Sequence, residues 1–131
     1  MKIHPISIRE LLKRTDLRLS SCNGETGTDK KITNSEINRP GLALSGYTGR
    51  FAPNRIQILG ETECKYLLSL SSEARLIAVE NVLSFDVPCI VITKSLTPPD
   101  ELLTAAERHD TAILGSELTT DEFTHSLVEF L

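Results

Sequence analysis

A chain of 131 residues, 40% hydrophobic and 24% charged, has the make-up of one ordinary globular domain, which excludes fibrous, disordered and membrane-embedded classes. At this size folding buries roughly two-thirds of the unfolded surface, so a core forms without metal or disulfide staples. The formal net charge of −4 argues against general affinity for nucleic acid. Its distribution is uneven: residues 37–60 hold three arginines (Arg39, Arg50, Arg55) and no acid, whereas residues 100–131 hold eight acids against Arg108 alone. The three cysteines, Cys22, Cys64 and Cys89, are far apart and fit no metal-ligand spacing, as expected of reduced thiols in a cytoplasmic protein. The N-terminus reaches a charged residue by Arg9, and no apolar run approaches the ~18 residues of a span, so neither signal peptide nor membrane contact is expected.

Ser7-Ile8-Arg9-Glu10 matches a capping box and predicts a helix over 8–14. Leu17-Arg18-Leu19 alternates as a half-buried strand does, and Asn23-Gly24-Glu25-Thr26-Gly27 reads as a polar turn. Residues 31–37 form another extended piece, broken by Arg39-Pro40-Gly41, because proline lacks a donor and restricts the residue before it. Residues 42–53 are glycine-rich and loop-like, with room for one helical turn. A strand over 55–59 stops at Gly60, and helices over 61–70 and 72–83 follow, the second with Leu76, Val79 and Leu83 on one face.

The last third is the most regular. Cys89-Ile90-Val91-Ile92 is a continuous apolar run of the kind buried on both faces of a parallel sheet. Pro98 and Pro99 open a helix through Asp110, with Asp100 and Glu101 where the helix dipole favours acids. A strand over 112–114 ends at Gly115, and Thr119 to Glu122 repeats the capping box ahead of a helix whose apolar face is Phe123, Leu127, Phe130 and Leu131. Strand, helix, strand, helix predicts right-handed crossovers and a three-layer α/β/α domain on a mostly parallel sheet.

Little in the sequence supports catalysis. Gly41 to Thr48 has the glycine spacing and terminal hydroxyl of a P-loop, but Tyr47 stands where the phosphate-binding lysine belongs, which leaves a structural glycine-rich loop. His4, His109 and His125 form no ligand pair; His109 reads as a helix C-terminal residue and His125 as a helix-surface one. No nucleophile elbow is present, and the Asp100-Glu101 and Asp121-Glu122 pairs read as first-turn helix acids. The arginine-bearing middle remains: Asn38, Arg39, Gly41 and Arg55 could combine guanidinium forks and backbone N–H groups around a phosphate or carboxylate. The competing expectation pairs these arginines with the domain's own acids, which the C-terminal third has in excess.

Ile37-Asn38-Arg39-Pro40-Gly41-Leu42, then Gly46-Tyr47, Phe51, Pro53 and Arg55-Ile56-Gln57-Ile58-Leu59-Gly60, resemble the N-terminal domain of bacterial HPr kinase/phosphorylase. Pro88 to Thr93, Pro98 to Leu103, and Thr119-Thr120 with Phe123 and Leu127 extend the resemblance over nearly the whole chain. It implies a non-catalytic domain, serving assembly or regulation, with no cofactor of its own and an α/β fold similar to the N-terminal domain of Mur ligases. It further implies a parent enzyme that uses ATP and magnesium in a separate P-loop domain to phosphorylate and dephosphorylate a serine of the phosphocarrier HPr in carbon catabolite control. The implied partners are that catalytic domain, neighbours in a homohexamer, and HPr through the parent enzyme. Other readings are a small-ligand module for a nucleotide or phosphometabolite, and a free-standing interaction protein. The sequence departs from the family pattern at Ala43, where an acid is common, and at Thr48-Gly49-Arg50, where the pattern is more aromatic.

Overall fold

The structure is a computed structural model and describes residues 2–131. The apolar runs build its centre, a five-stranded sheet in the order β2-β7-β6-β5-β4, made of β2 (Leu19–Ser21), β4 (Ile37–Asn38), β5 (Ile56–Leu59), β6 (Ile90–Ile92) and β7 (Ile113–Ser116). β4 to β7 run parallel, and β2 closes one edge antiparallel to β7, with Leu19 opposite Ser116. A separate two-stranded ribbon pairs β1 (Lys2–Ser7) with β3 (Lys31–Asn34).

The four parallel strands are added one after another in a single direction, so right-handed crossovers bring every connecting helix to the same face. Those helices are α2 (Gly41–Leu44), α3 (Glu61–Leu68), α4 (Ser72–Leu83) and α5 (Asp100–Arg108). Strand alternation supplies each face with its own side chains. Leu59, Ile90, Ile92 and Ile113 pack with Leu67, Val79, Leu83 and Leu102 on the crossover side. Ile56, Ile58, Val91 and Leu114 pack on the other side with Ile8, Leu11 and Ile32, and with Phe123 and Leu127 of α6 (Thr120–Phe130). The expected three-layer α/β/α arrangement is the one observed. Both capping boxes are present: Ser7 Oγ accepts from Glu10 N at 3.1 Å, and Thr119 Oγ1 from Glu122 N at 3.1 Å.

Three local expectations need correction. The first helix, α1, covers only Ile8–Leu11, and a 3-10 turn at Thr15–Leu17 follows. Arg18 then takes a left-handed backbone (φ 50°), so the strand expected at Leu17 begins at Leu19. Residues 31–37 are not one extended piece: Glu36 N donates to Asn34 Oδ1 at 2.9 Å, a local side-chain turn that separates β3 in the ribbon from β4 in the main sheet. Residues 2–7, given no element in the sequence, form β1, an edge strand of the ribbon, where Pro5 can lack a donor.

Candidate functional site

In a parallel sheet the strands' carboxyl ends form a rim where ligands commonly bind, and Asn38 and Arg39 lie at that end of β4. Asn38 is opposite Gln57 in the β4–β5 register, and its Nδ2 donates to Gln57 Oε1 at 2.8 Å. Gln57 is fully buried and its Nε2 donates to the Ala52 and Arg55 carbonyls, both at 2.9 Å, which fixes the loop entering β5. Asn38 therefore also serves the fold.

Arg39 faces Glu63 fork to fork, with Nε donating to Oε2 at 3.0 Å and Nη2 to Oε1 at 2.8 Å. Glu63 belongs to the first turn of α3, and its Oε1 also accepts from Gly60 N at 2.8 Å. The carboxylate is nearly enclosed (7% exposed) and the guanidinium half exposed. Charge-assisted pairing with Glu63 raises the Arg39 pKa, with a smaller push from Asp121. Arg55 pairs elsewhere, with Nη2 at 3.2 Å from Glu36 Oε2. The expectation that these arginines pair with the domain's own acids holds for Arg39 and Arg55, although neither partner lies in the acidic C-terminal third. Their direct partners are Glu63 and Glu36, because β4 beside β5 brings the start of α3 to Arg39.

The P-loop-like segment folds as a short helix and its stop. Gly46 N donates to Ala43 O at 3.0 Å and Tyr47 N to Leu42 O at 2.9 Å, the bond pair of a Schellman motif. Gly46 fills its positive-φ position (φ 112°), where an L side chain would be strained. The chain turns back, and Tyr47, Arg50 and Phe51 meet Asn38 and Arg39 around a cavity of about 90 Å³. Ala43 also lines it, so Ala43 and Arg50 border one space. Of the four residues singled out in the sequence, the structure brings Asn38 and Arg39 to this cavity, places Gly41 at the start of α2 beside it, and leaves Arg55 out. Tyr47, Arg50, Phe51 and Glu63 are the additions.

Elsewhere the polar groups have structural explanations. His109 is the C-terminal cap of α5, with Nε2 at 2.7 Å from Glu80 Oε2, and exposed His125 pairs with Glu129 along α6. A larger open groove beside β2 contains Arg18 and Glu117, whose charges lie 3.8 Å apart. Among the described residues no group of three or more His, Cys, Asp or Glu is placed to hold a metal, and no helix is long and apolar enough to cross a membrane.

Comparison with known proteins places this geometry in a family. The family model described as HPr Serine kinase N terminus matches residues 6–131. The chain is 39% identical over 118 residues to HPr kinase/phosphorylase of Latilactobacillus sakei, covering 89% of this chain and 38% of that protein. With the Alkaliphilus metalliredigens protein of the same name it shares 33% over 126 residues, covering 96% and 40% respectively. It therefore spans about two-fifths of the length of these relatives. Among solved structures, the CBS and DRTGG domains of the regulatory region of a Clostridium perfringens pyrophosphatase, complexed with the activator diadenosine tetraphosphate, match at TM-score 0.63 and 12% identity. That match covers 89% of this chain and 44% of the other, and it is a likeness of fold.

Proposed function

This chain belongs to the HPr Serine kinase N-terminal family, and from that premise we propose that it is a non-catalytic accessory domain of an HPr(Ser) kinase/phosphorylase, serving assembly or regulation. The observation that carries the reading is the extent of the match: nearly all of this chain aligns, yet only about two-fifths of each relative. In this reading ATP, magnesium and the serine of HPr are handled by a separate P-loop domain, the partners are that domain and homo-oligomer neighbours, and the setting is cytoplasmic. Tyr47 at the position of the P-loop lysine, in a segment folded as a helix and its cap, supports a role without phosphoryl transfer.

Two experiments test it. Incubated with ATP, magnesium and HPr, this chain alone forms no phospho-HPr; phosphorylation by it overturns the proposal. In the corresponding kinase, deleting the residues aligned with 6–131 leaves phosphorylation of HPr measurable but alters hexamer assembly or the response to effectors. Unchanged assembly and unchanged regulation count against an accessory role and favour a free-standing interaction protein.

A further inference from the structure

We propose that the cavity between the end of β4 and the residues after α2 binds a small oxyanion, the phosphoryl head of a phosphate monoester. The inference rests on the lining and is independent of any kinase partner. The lining contains two arginines and no acid. Arg39 is held in place by Glu63, which engages Nε and Nη2 and leaves Nη1 uncommitted. Arg50 is exposed, lines the same cavity, and its side chain has neither hydrogen bond nor ion pair among the described residues, so its five N–H donors are free. Asn38 uses one amide hydrogen on Gln57 and keeps the other, and the Tyr47 hydroxyl adds a further donor.

These donors outnumber what the two oxygens of a carboxylate readily accept, and they suit a tetrahedral dianion with three terminal oxygens. Size narrows the ligand further. Pockets that enclose whole drug-sized molecules run to roughly 300–1,000 Å³, whereas this one is about 90 Å³ and admits a single headgroup. The rest of the ligand would extend outward over Leu42 and Tyr47, which are 68% and 56% exposed at the cavity mouth and offer an apolar surface to an organic moiety. Arg39 supplies a contact held in place by Glu63, and Arg50 an exposed one.

The test is an NMR titration of the isotope-labelled 131-residue chain at low ionic strength with inorganic phosphate, glycerol 3-phosphate and acetate. Saturable shifts at Arg39, Tyr47 and Arg50 are expected, with the phosphate ester at least ~10-fold tighter than acetate. Arg50→Gln weakens phosphate and the ester by about tenfold at an unchanged melting temperature, while Lys13→Gln, a cation remote in sequence, leaves binding intact. Shifts that grow linearly without saturating, acetate binding as tightly as the ester, or equal losses with Lys13→Gln each overturn the proposal. Because binding is read on the chain alone, its failure leaves the accessory-domain reading standing, and the reverse holds equally.

Discussion

Arg39 and Glu63 are 24 residues apart in sequence and meet in a two-point ion pair, Nε to Oε2 at 3.0 Å and Nη2 to Oε1 at 2.8 Å. The pair is asymmetric, since the carboxylate is enclosed and the guanidinium half exposed. Loss of the arginine therefore harms the fold more than loss of the negative charge. Arg39→Gln strands an enclosed carboxylate with only the Gly60 N–H and costs about 2 kcal/mol, less than a fully buried pair because Arg39 is partly solvated. Glu63→Gln keeps an oxygen for Gly60 N–H and costs about 1 kcal/mol. Urea unfolding of both variants and the double variant checks the order; an Arg39→Gln cost below that of Glu63→Gln removes the asymmetry argument.

Gly60 is required by sterics. Its φ of −96° is open to any residue, but a Cβ there would lie 2.8 Å from Arg39 Nη2 and 2.9 Å from Thr120 Oγ1. Neither atom can withdraw freely, because Arg39 is tied to Glu63 and Thr120 Oγ1 hydrogen-bonds Thr93 Oγ1 at 2.9 Å. Gly60→Ala is expected to lower stability by about 1–3 kcal/mol, the usual cost of overpacking. In an Arg39→Gln background the penalty shrinks, since one of the two obstructing atoms is gone. A penalty unchanged by that background would place the strain elsewhere.

The contrast between these residues and the core shows what the sequence could reveal. β6 is readable because a strand buried on both faces needs an unbroken apolar run, β5 because Ile56, Ile58 and Leu59 stop at Gly60, and α6 because Thr119, Glu122 and its apolar face all agree. β1 is not, because none of its residues is buried, it contains Pro5, and it gains its partner only from β3, more than twenty residues on. The site divides in the same way. Asn38 and Arg39 were found from local charge and a proline break, whereas Glu63 enters through strand adjacency and Arg50 through a helix stop. One signal was available: Gly60-Glu61-Thr62-Glu63 places a glutamate three residues after a helix cap, where its carboxylate reaches back to the cap N–H.

Acid sensitivity has an identifiable contributor. Hydrogen bonds from Lys94 and then Lys65 hold the Glu61 carboxyl down to about 2 from its ordinary 4.5. Since the folded pKa is the lower one, the stabilisation from this group is present above about pH 4.5 and is lost as pH falls through about 2. Glu10, Glu25, Glu101 and Glu122 are also lowered, which adds to the same acid limb. Lys94→Met removes the 2.8 Å contact to Glu61 Oε2. Carbon-detected NMR titration should then find the Glu61 midpoint raised toward 4.5 and acid unfolding beginning at higher pH. A midpoint that stays near 2 in the variant would assign the effect to Lys65 alone.

The cysteines provide a probe of the same region. Burial pushes the Cys89 thiol up to about 12, and burial with the adjacent Glu63 charge pushes Cys64 up to about 11. Both are enclosed, whereas Cys22 is exposed although partial burial raises its pKa too. Thiolate is the reactive form, so access and pKa act together to protect Cys64 and Cys89. In a disulfide-exchange assay at pH 8 one thiol per chain, Cys22, is expected to react quickly, and all three after denaturation. Rapid native labelling of a second thiol would contradict the enclosed core around α3. Cys64 directly follows Glu63, so Arg39→Gln, by loosening the start of α3, should speed its labelling while leaving Cys89 in β6's approach protected. Equal acceleration of both would mean that the substitution opens the whole domain and that the ion pair anchors more than the rim.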